Sequence, residues 1–217
     1  MKYFVFLRAM DEIITDDKKE LRDAVIYSLL LTALPWIVQL VNVAFSLRLN
    51  QYGLQPLEIR GLLGILTMPV LHADWEHLIS NTPPMIVLIG GLFLFHNRGG
   101  WRILIFLYII SGLLTWFMGR SSTHIGASGL VYALAAFHFV SGVIKKEKRQ
   151  LAFALLVTFL YGGFVWAFFP TLYKDTSISW EGHLSGLLTG IIIAFYFRNE
   201  GPQAPESPFP DEEEDSE

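Results

Sequence analysis

Ser128 and His183 are the residues whose types suit nucleophilic acyl chemistry. A serine hydroxyl attacks poorly until a base within hydrogen-bond reach takes its proton, and histidine is the common base. Each alone has an ordinary structural explanation: a small residue between packed membrane helices, or a bundle histidine bonded to a carbonyl. Their settings strengthen the pairing. Ser128 stands in Gly126-Ala127-Ser128-Gly129, and His183 follows Gly182, with Gly186 and Gly190 at four-residue steps beyond. Glycines at that spacing let two helix backbones approach closely, which a short serine side chain requires. An acyl-transfer site also needs donors aimed at the developing oxyanion. His77 and Asn81, four apart, share one face of a helix. The Ser128 N–H, near a helix start, adds a third donor, because the first N–H groups of a helix lack intrahelical acceptors. Polar capping at a membrane interface is the plainer role open to His77 and Asn81.

The other polar residues make weaker cases. His124, four residues before Ser128, is a rival base. His138 lies ten residues beyond Ser128, about 15 Å deeper along a helix, and reads as a bundle contact. His96 reads as an interface residue. Glu181 is two residues from His183, off its helix face, and reads as a loop charge, so the catalytic set would be a dyad. His72-xxx-Glu76-His77 is one residue too long for a membrane zinc-protease motif, and no metal is expected. Leu130 stands where the Gly-x-Ser-x-Gly elbow of soluble hydrolases has its second glycine. There is no cysteine, which excludes disulfides and thiol chemistry.

Apolar helices must carry these residues. Hydrophobic residues make up 53% of the 217-residue chain and charged residues 17%, below the roughly 25% usual in soluble domains. Asp, Glu, Lys and Arg are absent from 24–47, 77–97, 103–119, 121–144, 150–173 and 182–197. Crossing ~30 Å of hydrocarbon at 1.5 Å per residue takes about 20 apolar residues. Six segments meet or approach that length: 24–46, 77–96, 103–119, 126–144, 151–169 and 182–197. In lipid a non-barrel chain satisfies its backbone only as helix. The expectation is an all-α, six-span protein: a cytosolic segment 1–22, a helical domain 23–199, and a tail 200–217. With the N-terminus inside, the inner segments hold twelve Lys and Arg and the outer loops four. The positive-inside rule therefore puts both termini in the cytosol. The helices that open with His77, with Gly126–Gly129 and with Gly182-His183 then all start on the outer side, at one depth. Polar groups converging at one depth in a membrane form a candidate active site. Residues 201–217 hold four Pro and seven acids, and read as a solvated disordered tail.

Taken together, three motifs resemble those of the rhomboid family of intramembrane serine proteases: His72-xxxx-His77-xxx-Asn81, Gly126-Ala127-Ser128-Gly129-xx-Tyr132, and Gly182-His183-xx-Gly186. The resemblance spans all six segments. It implies Ser128 as nucleophile, His183 as general base, His77 and Asn81 as oxyanion donors, and Tyr132 packed on the His183 ring. His72 would have a structural or water-retaining role. It further implies cleavage of other proteins' transmembrane helices near the outer membrane face, with no metal or cofactor and no nucleic-acid partner. The setting would be a bacterial inner membrane. Two family features are missing: a Trp-Arg pair in the loop between the first two helices, and a Glu where Phe93-Leu94-Phe95 stand. The competing readings are a helix-binding relative without catalysis and a small transporter. Relatives of the first kind lack the Ser or the His. The second calls for midplane charges or inverted repeats, and neither is visible here.

Overall fold

In the computed structural model, residues 2–160, 179–201 and 203 are described, with side chains from residue 17 and excepting that of residue 160. The described chain is helical: α1 (Lys2–Ala44), α2 (Gly64–Thr67), α3 (Trp75–His96), α4 (Gly100–Met118), α5 (Ser128–Ile144), α6 (Lys148–Leu160) and α7 (Trp180–Tyr196). The expected spans 24–46, 77–96, 103–119 and 182–197 fall on α1, α3, α4 and α7. The span expected at 126–144 is α5, which starts two residues later, at Ser128 itself. Of 151–169, the part beyond 160 lies outside the described residues, as does the acidic tail from 204. Helix α1 runs from Lys2 without a break into the first expected span.

Two helical stretches, Asp17–Ala44 and Trp75–Met118, are long and apolar enough to cross a membrane. Helix α1 shows why. Val25, Leu29, Leu30, Ile37 and Leu40 along it are all exposed. An apolar face of that extent needs a hydrocarbon surrounding or a partner. The core lies among α3, α4, α5 and α7, where Leu88, Leu92, Leu107, Leu134, Phe137 and Ile193 are fully or almost fully buried. Polar residues in this interior bond locally: the Thr115 and Thr189 hydroxyls donate to the carbonyls of Ser111 and Ser185, one turn back.

Helix α3 begins where Asp74 caps it, its carboxylate accepting the His77 N–H at 2.8 Å. It remains one helix through Pro83 and Pro84, although each proline removes a ladder donor. The connection from α1 to α3 is folded rather than loose. It winds through short helical turns, and the carbonyl of Gln55 and Cα of Leu54 lie where a Cβ on Gly61 or Gly64 would stand. Trp116 fastens it to α4: the indole N–H donates to the Glu58 carbonyl, and the Trp116 carbonyl accepts the Leu57 N–H. This connection also meets the segment before α5, through paired backbone bonds between Leu54 and His124 at 2.9 and 2.8 Å.

Candidate active site

Ser128 is the first residue of α5, and His183 lies in the first turn of α7. Their side chains meet, with His183 Nε2 at 3.0 Å from Ser128 Oγ. Ser128 is half-buried while His183 is buried. The imidazole is thus held in protein and the hydroxyl stays reachable.

Glycine makes this approach possible. A Cβ on Gly186 would stand 2.1 Å from the Gly129 carbonyl oxygen, and one on Gly190 would stand 2.3 Å from the Ala133 carbonyl oxygen. On the opposite helix, a Cβ on Gly129 would come within 3.2 Å of the Gly182 carbonyl oxygen. Helices α5 and α7 therefore touch backbone to backbone over two turns. Tyr132, one turn below Ser128, lays its ring on His183, with centroids 4.4 Å apart and planes at 31°. This contact limits rotation of the imidazole.

His72 and His77 flank the segment leading into Ser128. Gly126 has φ +113°, a backbone conformation closed to other residues, and the His77 ring lies 2.5 Å from where its Cβ would be. His72 is fully buried, and its Nε2 accepts the Ala127 N–H at 3.4 Å. Burial, helped by nearby His77, holds the His72 pKa down to about 4, against the opposing pull of the Val70 carbonyl and Asp74. His72 is therefore neutral, as an acceptor at Nε2 must be. The His72 and His77 rings meet edge to face, 5.0 Å apart. Asn81 is buried, and its amide donates to the His77 carbonyl at 2.8 Å. That leaves one amide hydrogen for another acceptor.

The other histidines are occupied. His138 faces the Leu88 carbonyl at 3.0 Å, deep in the bundle, and His96 lies 3.3 Å from Lys145 Nζ. His124 does not face Ser128. Its Nδ1 is 2.6 Å from Ser179 Oγ and its Nε2 is 3.0 Å from the Arg120 carbonyl. Glu181 needs correction. It is not a loop charge but a buried residue in the first turn of α7, with its carboxylate 3.7 Å from Arg120 Nε. Position relative to His183 alone could not reveal this, because Arg120 is brought to Glu181 by the packing of two distant segments. The Ser179 cap had a local signal, a serine three residues before Gly182, but its link to His124 had none. Among the described residues, no group of three or more His, Cys, Asp or Glu is placed to hold a metal ion.

Comparison with known proteins supplies the family. The Rhomboid domain family matches residues 60–200, most of the chain and all of the elements that build the site. This chain belongs to the rhomboid family. Rhomboid membership accounts for the apolar helices. Proteins described only as uncharacterized, from Mycobacterium bovis and Mycobacterium tuberculosis, are each 36% identical over 174 residues, covering 75% of this chain and 70% of their own. A Mycobacterium leprae protein with the same description is 33% identical over 174 residues, covering 75% of this chain and 67% of its own.

Proposed function

We propose that this rhomboid is an intramembrane serine endopeptidase that cleaves transmembrane segments of other proteins near the outer membrane face. The reading is carried by one observation: His183 Nε2 sits 3.0 Å from Ser128 Oγ at the meeting of two glycine-faced helices. In this reading six helices span a bacterial inner membrane with both termini in the cytosol, as the distribution of Lys and Arg favours.

Ser128 attacks the substrate carbonyl while His183 Nε2 takes the hydroxyl proton. The tetrahedral oxyanion forms against the Ser128 N–H, His77 and the remaining Asn81 amide hydrogen. His183 then gives its proton to the departing amine, and water entering from the outer face hydrolyses the acyl-enzyme. No carboxylate is needed behind the base, since the Tyr132 ring sets the imidazole's orientation. An apolar cavity of about 420 Å³ lies next to this point, lined by Pro84, Val131, Tyr132, Ala135, Leu155 and Leu187 among others. It offers the buried end of a substrate helix a hydrocarbon-like path toward Ser128. The aromatic stretch 164–169, which the family resemblance suggests as part of a substrate gate, lies outside the described residues.

An isocoumarin, which acylates activated serines, tests the reading. Adduct mapping by mass spectrometry is expected to find it on Ser128 in the native chain and nowhere in Ser128→Ala or His183→Ala. Folded native protein without an adduct would point instead to a helix-binding relative that does no chemistry.

A further inference from the structure

The contacts around His124 make a structure of their own, outside the proposed dyad. Its Nε2 faces the Arg120 carbonyl at 3.0 Å, which can only accept, so Nε2 carries the hydrogen. In the neutral ring Nδ1 is then an acceptor, and the Ser179 hydroxyl 2.6 Å away donates to it. The same Ser179 Oγ accepts the Gly182 N–H at 3.2 Å, and the Ser179 carbonyl accepts the His183 N–H at 3.3 Å. A directional chain thus runs from the backbone of the histidine's own turn, through Ser179, to His124. His124 is buried, is fixed by two backbone bonds to Leu54, and stands four residues before Ser128. The Arg120–Glu181 pair joins the same two segments a second time. Ser179 and His124 superficially repeat the Ser–His contact of the site. Ser179 is nevertheless committed as the cap of α7, and its donor is spent on His124, so it is not a second nucleophile.

We infer that His124 is a positioning residue: through Ser179 it locks the first turn of α7, and with it His183, to the segment that carries Ser128. Beside this clamp, the two starts are linked by the Arg120–Glu181 ion pair at 3.7 Å and by the dyad contact itself. Removing the clamp lets α7's first turn drift while the glycine contacts deeper in the helices hold. An error of about 1 Å in such a site costs up to about 10²-fold in rate.

This inference rests on the proposed Ser128–His183 chemistry, and two measurements on the full chain separate the two. The first is fluorophosphonate inactivation, resolved into the binding constant KI and the limiting rate kinact. In His124→Ala, kinact is expected to fall by about 10- to 10²-fold with KI and the melting midpoint near native values, whereas Ser179→Ala, which also strips the cap of α7, is expected to lower the melting midpoint as well. His124→Gln, whose amide can accept the Ser179 hydroxyl, is expected to recover part of the loss. The second is hydrogen exchange at the Gly182 and His183 amides, which reads the clamp whether or not the serine reacts. Exchange there is expected to quicken in His124→Ala while α5 amides stay unchanged. Native kinact together with native exchange in folded His124→Ala overturns the positioning role, as does a loss that only follows a lowered melting midpoint. Native protein that does not label at Ser128 overturns the protease reading, and the exchange result then decides the clamp alone.

Discussion

In the proposed protease Ser128 and His183 act as nucleophile and base across one hydrogen bond, and the remaining polar residues divide by what already occupies them. The His77 ring borders the segment entering α5, and Asn81 keeps an amide hydrogen beyond its bond to the His77 carbonyl. If that hydrogen serves the oxyanion, Asn81→Ala is expected to lower turnover by up to about 10²–10³-fold with the fold intact. Inactivation kinetics beside a melting curve would check it, and an unchanged rate would remove Asn81 from the role. His72 makes a different prediction, about pH. Its pKa is about 4 in the fold against about 6.5 in an unfolded chain. Between these values the unfolded chain binds a proton that the folded one does not, so acid favours unfolding. The contribution is complete above about pH 6.5 and is lost as pH falls through about 4. Melting midpoints measured from pH 7.5 down to 4 are expected to fall, and to fall less steeply in His72→Gln.

Helices α5 and α7 bring the dyad together because their facing residues have no side chains to separate them. Gly186→Ala would place a methyl 2.1 Å from the Gly129 carbonyl oxygen and 3.0 Å from Tyr132 Cβ. A backbone carbonyl cannot swing away as a flexible side chain can. The helices must therefore part, and both thermal stability and Ser128 labelling are expected to drop, the latter at least about 10-fold. Gly99→Ala, with nothing within 4 Å of its Cβ, is the control expected to change neither. At the start of α3, Asp74→Ala removes the cap on the His77 N–H and is expected to cost about 0.5–2 kcal/mol of stability, read from denaturation. The loss would fall at the end of the helix that presents His77.

At the scale of the whole molecule, the site is a joint between elements far apart in the chain. The connection after α1 docks on α4 through Trp116 and on the segment before α5 through Leu54, while α7 returns to close on α5. Beyond α7 the chain reaches the far ends of α3, α4 and α5, where Lys145 donates to the Glu200 carbonyl and Arg102 pairs with the Glu200 carboxylate. This end lies opposite the dyad along α5, which opens at Ser128 and closes beside Lys145. The proposed orientation puts the Lys145 end in the cytosol. The absence of native cysteine makes this simple to check. In intact cells a membrane-impermeant maleimide is expected to modify Thr123→Cys and to spare Lys148→Cys until the membrane is opened. The reverse pattern would invert the topology.

The sequence by itself determined the helical class, the apolar segments and the family resemblance. These follow from local quantities: runs without charge, glycine at four-residue spacing, and short motifs around Ser128, His77 and His183. Asp74, three residues before His77, also carries a capping signal in the sequence, since capping is decided within one turn. Its boundaries slipped where local patterns run on, as at α5, whose apolar run begins before the backbone becomes helical. Only the tertiary structure decided which polar residue meets which. His124 and His183 both had sequence credentials as a base, and the difference between them is a matter of packing: one faces Ser179 and the Arg120 carbonyl, the other Ser128. Glu181 likewise looked solvated until Arg120, 61 positions earlier in the numbering, was found beside it. A side chain's partners across a helix bundle depend on the rotation and depth of helices whose contacts are distant in sequence, and no spacing rule along one strand of chain encodes them.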